Sequence, residues 1–228
     1  RGGEGGRSGR DGGRVEWGAG RVRCVGRARE RIAEDSRRVL RYFRCLAYFG
    51  RGSLDRDAGA ACREWAPGVA RLSAERVRAE LLMLLAAADP CPAVALMGET
   101  GVLAHVLPDA AGIDRLVRLV RAEATVEGLT VAPLRRLAAL LPAEELGDIC
   151  ERLRLSKAEC AYLQTMTAES VSCDGMSRDG APRNRANHRL GAADFRGLAL
   201  LGWAGSGGDS GWPAPVDSAD AATRSERA

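Results

Sequence analysis

The sequence from position 31 to position 44 reads Arg31-Ile32-Ala33-Glu34-Asp35-Ser36-Arg37-Arg38-Val39-Leu40-Arg41-Tyr42-Phe43-Arg44. Helical spacing divides this stretch and the residues that follow it into two faces. The apolar face comprises Ile32, Val39, Phe43, Leu46 and Ala47, and the charged face comprises Glu34, Arg37, Arg38, Arg41 and Arg44, with Asp35 at the border. We therefore expect one amphipathic helix over residues 28–49 that packs its apolar face against other helices.

The pair formed by Asp35 and Arg38 has the chemistry to distinguish nucleobases. On a helix the two side chains are neighbours, so the carboxylate can orient the planar guanidinium. Cytosine and adenine present an amino donor next to a ring-nitrogen acceptor, whereas uracil and guanine present the opposite polarity. A mismatch leaves buried polar groups unpaired at about 1–3 kcal/mol each. The pair is therefore suited to accept C and A, although a solvated ion-pair face produces the same pattern.

Positive charge is concentrated in one part of the chain. Residues 21–44 contain nine arginines and three acidic residues, a net charge of +6, whereas the whole chain carries +4. A basic segment in an otherwise slightly acidic chain indicates contact with a polyanion such as RNA. GC-rich coding bias is the alternative source of the arginines, because Lys157 is the only lysine.

The remaining sequence is typical of an all-α protein. Strand signals are weak, and apolar residues recur at helical spacing between turn residues. A capping box at Ser156 and Glu159 and a proline at position 133 mark two helix starts. Predicted helices cover 55–65, 73–89, 92–97, 102–107, 113–120, 133–141, 146–153, 156–166 and 190–201. The expected fold is an array of short amphipathic helices with disordered ends.

Charged residues on two of these helices are expected to be structural. Arg76 and Glu80 are four positions apart, the spacing of an ion pair on one helix. For Arg135 and Arg136 we expect a solvated helix face, with contact to RNA phosphate as the alternative.

Three blocks in the same order resemble the neck and body of the class II tRNA nucleotidyltransferases, the family of CCA-adding enzymes and bacterial poly(A) polymerases. The first block contains the nucleotide-selecting motif Glu-Asp-x-x-Arg at Glu34, Asp35 and Arg38. The second and third blocks are residues 72–81 and 96–108. The resemblance covers about residues 11–205.

The resemblance implies a site and its ligands. Nucleotide-binding residues would be Glu34, Asp35, Arg38 and Arg41, and RNA-binding residues would be Arg31, Arg37 and Arg44. The implied substrates are ATP and CTP, the implied partner is the tRNA 3′ end, and the implied cofactor is Mg²⁺. The family's catalytic head, with its metal-binding aspartates, has no match in this sequence, so we expect no catalytic or metal-binding residue here and no transfer by this chain alone.

The expected organisation follows from the same comparison. It comprises a Gly/Arg-rich head–neck junction (1–20), a neck (21–110), a helical body (111–169), a linker (170–187), a residual helix (188–205) and a disordered tail (206–228). The expected function is selection of CTP and ATP and binding of the tRNA acceptor end in CCA addition. A poly(A) polymerase fragment and a non-catalytic helical RNA-binding protein remain alternatives.

The cysteines and the apolar runs exclude several other classes. The seven cysteines are scattered without zinc-ligand spacing. Their odd number, with no signal peptide in the sequence, favours a reducing cytoplasm. No apolar run is long enough to span a bilayer, so we expect no membrane association. The sequence leaves the oligomeric state open.

Overall fold

The computed structural model describes residues 35–50, 56–108, 110–126, 128–173 and 192–207. Within these ranges the chain forms helices and no strand, which confirms the all-α prediction. The helices are α1 (Arg37–Phe49), α2 (Arg56–Val69), α3 (Ala74–Leu85), α4 (Cys91–Glu99), α5 (Val102–Val106), α6 (Ile113–Glu123), α7 (Pro133–Leu140), α8 (Leu146–Arg152), α9 (Lys157–Cys173) and α10 (Ala192–Gly205), with a 3₁₀ turn at Ala143–Glu145. The predicted junction over 1–20 and most of the predicted linker and tail lie outside the described residues.

The chain divides into two compact units. The first comprises Arg1–Ala110 and Glu151–Arg154, and the second comprises Ala111–Cys150 and Leu155–Ala228. The functional limits proposed above for neck, body and linker stay predictions.

The first unit is organised around α1. This helix packs against α2, α3 and α4, while α5 packs against α2 and α4. Val39, Phe43 and Leu46 are at most 2% exposed, so the apolar face predicted for this helix forms the centre of the core. Burying each of these side chains contributes about 1.5–3 kcal/mol. Leu40 and Tyr42 are buried as well, and the buried stripe is therefore wider than the sequence pattern predicted.

Several helix limits differ from the prediction. α3 ends at Leu85 instead of Asp89, and α10 ends at Gly205 instead of Leu201. The expected helix over 28–49 is wrong at Asp35, which precedes the helix. α1 begins at Arg37 after Ser36, and the Asp35 side chain accepts the Arg37 N–H in a local turn before the helix. α2 does not stop before Pro67 but continues to Val69, whose buried side chain anchors the last turn. α9 continues to Cys173 instead of ending at Met166.

Two predicted helix starts are confirmed. α7 begins with Pro133 in its first turn, where the missing N–H would have no helical partner. At the start of α9, the Ser156 N–H donates to Glu159 Oε2 at 2.8 Å, and the Glu159 N–H donates to Ser156 Oγ at 3.2 Å. These reciprocal bonds confirm the capping box.

The second unit encloses α7. This helix packs against α6, α9 and α10, and every residue from Arg135 to Leu140 is buried. The expectation of a solvated face at Arg135 and Arg136 is therefore wrong, since both side chains are only 2% exposed. They are accommodated because both bind the carboxylate of Glu123 at the end of α6.

Candidate nucleotide and RNA site

The candidate site lies at the start of α1. Asp35 Oδ1 accepts a hydrogen bond from the Arg37 backbone N–H at 2.9 Å, and this bond satisfies one of the free donors at the helix start. Asp35 Oδ2 also pairs with the Arg37 guanidinium at 3.0 Å. Asp35 therefore pairs with the guanidinium of Arg37, two residues away. The predicted pairing with Arg38 assumed that Asp35 lies within the helix, whereas Asp35 precedes it.

The Asp35 carboxylate is ionised and accessible. Partial burial acts to raise its pKa, but the Arg37 hydrogen bonds and the charges of Arg37 and Arg38 together hold the pKa below its ordinary value. The Asp35 side chain is 30% exposed and that of Arg37 is 48% exposed. Because an ion pair this exposed is worth at most about 1 kcal/mol, an incoming polar group can replace one partner at small cost.

The other arginines of α1 are already engaged in contacts within the chain. Arg38 and Arg41 are half-buried one turn apart, and each already takes part in an interaction within the chain. Arg44 lies 3.2 Å from Glu80 Oε2 on α3 and 3.2 Å from Met83 Sδ. Its contact with the buried Glu80 oxygen satisfies the distance of an ion pair but not the angle of a hydrogen bond. Glu34 and Arg31, the remaining predicted site residues, lie outside the described residues.

Glu80 has a different partner from the one that helical spacing predicts. Spacing along α3 pairs it with Arg76, whereas the structure pairs it with Arg44, thirty-six positions earlier in the chain. Spacing along one helix could not reveal this, because the pair forms only when α1 packs against α3.

The described residues offer no metal centre. No three of their histidine, cysteine, aspartate and glutamate side chains come close enough to hold a metal ion. The Mg²⁺ implied by the resemblance therefore has no fitting ligand cluster among them. Nor does any helix of the described part combine the length and apolarity that crossing a membrane requires.

Parts of the sequence are similar to known proteins. A family profile described as "Probable RNA and SrmB- binding site of polymerase A" matches residues 53–113. The mitochondrial CCA tRNA nucleotidyltransferase 1 of Mus musculus is 34% identical over 146 residues, which are 61% of this chain and 32% of the relative. The CCA-adding enzyme of Geobacillus stearothermophilus is 36% identical over 101 residues, 44% of this chain and 24% of the relative.

Solved structures have the same fold. The Bacillus stearothermophilus CCA-adding enzyme in complex with CTP has a TM-score of 0.65 and 23% identity, covering 90% of this chain and 50% of that one. The Thermotoga maritima CCA-adding enzyme complexed with tRNA_CCA has a TM-score of 0.60 and 17% identity, covering 82% and 48%.

The chain is therefore similar to the CCA-adding nucleotidyltransferases in sequence over part of its length, and to their solved structures in fold. It covers the neck and body region, as the sequence blocks indicated. It spans 32% of the length of the mouse relative and 24% of that of the Geobacillus stearothermophilus relative, so the activity of a whole family member is not shown by these matches.

Sequence reasoning missed one feature of the first unit. Tyr48 is 49% exposed and Phe49 is 41% exposed at the end of α1, next to Met83, which is 40% exposed. The sequence contains no decisive signal for this exposure, because Tyr42 and Phe43, adjacent aromatics earlier in the same helix, are both buried.

Proposed function

We propose that this chain is the part of a CCA-adding tRNA nucleotidyltransferase that selects the incoming nucleotide and binds the tRNA 3′ end. The observation that carries the proposal is the accessible carboxylate of Asp35 at the start of α1, close to the charges of Arg37 and Arg38. Its proposed substrates are CTP and ATP, and its proposed partner is tRNA. The names of the relatives support this choice, as do the CTP and tRNA in two of the solved structures.

The proposed roles follow from hydrogen-bond chemistry. Asp35 accepts from the amino group of cytosine or adenine, and Arg38 donates to the adjacent ring nitrogen. Glu34 and Arg41 complete the nucleotide site. RNA phosphates are contacted by Arg37, whose guanidinium is half-exposed, and by Arg31 and Arg44.

The proposed role ends at selection and binding. Mg²⁺ is proposed as cofactor from the resemblance, because phosphoryl transfer needs carboxylates that hold metal ions, and the proposal assigns no such ligand to the described residues. A cytoplasmic location also stays a prediction, because three of the matched relatives are named as mitochondrial.

Asp35→Asn is expected to remove discrimination among nucleotides. The wild-type chain should bind CTP and ATP at least about tenfold more tightly than UTP and GTP, since a reversed polarity leaves groups unpaired at about 1–3 kcal/mol each. The asparagine oxygen can still accept the Arg37 N–H, so the start of α1 is preserved, while its amino group meets the carbonyl of uracil or guanine. Calorimetric titration of the full chain with each nucleotide measures the four affinities. Arg38→Ala should also make the affinities for the four nucleotides equal.

Asp114→Ala is the matched control, because Asp114 is an exposed carboxylate in the first turn of α6, in the other unit. It should leave the nucleotide preference unchanged. Equal wild-type affinity for all four nucleotides would contradict base selection. Tight binding of ATP without CTP would favour a poly(A) polymerase, the alternative suggested by the description of the matching family profile.

Arg37→Ala is expected to weaken binding of tRNA and reduce its salt dependence. Removing one arginine–phosphate ion pair should lower the slope of log K against log salt concentration by about 0.7–0.9. Electrophoretic mobility shifts with tRNA lacking its 3′ CCA, measured over a series of salt concentrations, give the slope. Arg121→Ala, an exposed arginine of α6, serves as control. If the affinity of the wild-type chain for tRNA did not change with salt concentration, the proposal that the basic segment contacts RNA would be wrong.

A further inference from the structure

Exposed apolar side chains are concentrated in one place on the first unit. Of the four large apolar side chains that the described residues expose, three lie together: Tyr48, Phe49 and Met83. The two rings have centroids 6.1 Å apart and planes inclined by 43°. We call these three residues the aromatic platform.

The aromatic platform is held in place by contacts beneath it. The Tyr48 hydroxyl donates to the Met83 carbonyl at 3.0 Å, which fixes the ring of α1 against α3. The Arg44 guanidinium contacts Met83 Sδ at 3.2 Å and the Glu80 carboxylate at 3.2 Å. A ring restrained in this way loses little conformational freedom when a flat group stacks on it.

The aromatic platform lies at the C-terminal end of a row of arginines along α1, which we call the basic stripe. Arg37, Arg41, Arg44 and Tyr48 are four, three and four positions apart, the spacing of residues on one helix face. From the first to the last of them the stripe is about 16 Å long at about 1.5 Å per residue. Single-stranded nucleic acid is bound by this combination, in which cationic side chains follow the phosphates and aromatic rings stack on the bases.

We infer that the aromatic platform stacks an unpaired base of single-stranded RNA whose phosphates lie along the basic stripe, at Arg37 and Arg44, the arginines of the stripe to which the proposed function assigns RNA contact. This inference rests on the proposed RNA-binding function and adds a stacking site apart from the base-selecting Asp35 and Arg38. Charge favours RNA over an apolar protein surface, because the aromatic platform continues a row of three arginines and the first of these, Arg37, keeps its side chain 48% exposed. Base stacking tolerates any sequence, so this site contributes affinity for an unpaired end without selecting C or A.

The test compares two RNA hairpins, one with a three-nucleotide 3′ overhang and one blunt. The wild-type chain should bind the overhang hairpin more tightly. The double variant Tyr48→Leu/Phe49→Leu should lose about 5- to 150-fold in affinity for it, the range that about 1–3 kcal/mol per stacked base represents. Affinity for the blunt hairpin should not change. A 2-aminopurine base in the overhang should lose fluorescence on binding to wild type and not on binding to the double variant.

Three further variants separate stacking from folding. Tyr48→Phe removes the bond to Met83 and keeps the ring, so it should retain most of the affinity, and Phe49→Trp should retain it fully. Val131→Ala removes a side chain that is 46% exposed in the other unit and should have no effect.

The outcomes distinguish this inference from the proposed function. Equal binding of both hairpins by wild type and the double variant would overturn the stacking site and leave RNA binding intact. No binding of either hairpin would overturn both. A wild-type dimer in analytical ultracentrifugation that becomes monomeric in the double variant would show that a second copy covers the platform, and would overturn it as well.

Discussion

Replacing Glu123 with leucine is expected to unfold the second unit under mild conditions. The Glu123 side chain is 6% exposed and binds two arginines that are each 2% exposed: Oε1 accepts from Arg135 Nε and Oε2 accepts from Arg136 Nε, both at 2.7 Å. The leucine leaves two buried guanidinium groups without their counter-ion. Removing one partner of a buried ionic group destabilises a protein by about 3–5 kcal/mol. Urea unfolding followed by far-UV circular dichroism measures the loss.

Two companion variants identify the cause. Glu144→Leu replaces an exposed carboxylate of the same unit and should change the free energy of unfolding by less than about 0.5 kcal/mol. Glu123→Leu/Arg135→Met/Arg136→Leu replaces the whole charged group with apolar side chains, and should recover most of the lost stability. Arg135 also donates to the Thr130 carbonyl at 2.9 Å, but Thr130 is exposed, so water can take over that bond. A Glu123→Leu chain as stable as wild type would show that the arginines reach solvent.

Local and non-local features differ in how far the sequence predicts them. The capping box at Ser156 and Glu159 depends on residues three positions apart, and it was predictable because both partners are visible in one helical turn. The buried face of α1 was predictable for the same reason, since Val39 and Phe43 repeat with the period of the helix.

The burial of Arg135 and Arg136 depends on a partner in another helix. By helical spacing Arg135 lies opposite the apolar side of α7 and Arg136 lies at its border, so both positions are compatible with exposure. α7 is instead enclosed by α6, α9 and α10 and has no outward face there. A carboxylate twelve or thirteen positions earlier makes that possible. Helical periodicity contains no information about such a partner.

The structure at the start of α1 differs from the geometry on which the site prediction was based. Asp35 and the arginines of α1 lie together, but the expected helical pairing of Asp35 with Arg38 assumed that the helix passes through residue 35. An aspartate just before a helix prefers to accept backbone N–H groups. Here the Asp35 carboxylate accepts the Arg37 N–H at the start of α1 and pairs with the Arg37 guanidinium. The Arg44–Glu80 contact and the aromatic platform need the packing of α1 on α3, which the sequence alone does not specify.

Arg115→Met is expected to produce the second large loss of stability. The Arg115 guanidinium donates to the carbonyl oxygens of Ala138, Ala139 and Leu141 at 2.5–2.7 Å, at the end of α7. The carbonyls at the end of a helix lack full helical pairing, and of these three only that of Ala138 also accepts a backbone N–H, that of Leu141 at 3.4 Å. All three residues are buried, so water does not replace the guanidinium. An unsatisfied buried carbonyl costs about 1–3 kcal/mol, and we expect a total loss of about 3 kcal/mol because some relaxation is possible. Urea unfolding again measures it, with Arg121→Met of the same helix as control.

The fork shape of Arg115 accounts for this effect more than its charge does. Gly112 brings the start of α6 so close to the end of α7 that a Cβ there would collide with the Ala139 carbonyl oxygen, and its N–H donates to the Leu140 oxygen at 3.3 Å. At this separation one planar guanidinium reaches three carbonyls, whereas a lysine ammonium on its flexible stem is a single point charge. Arg115→Lys should therefore lie between wild type and Arg115→Met. If Arg115→Lys were as stable as wild type, the positive charge near the helix end would be sufficient, and the three-carbonyl fork would not be the source of the stability.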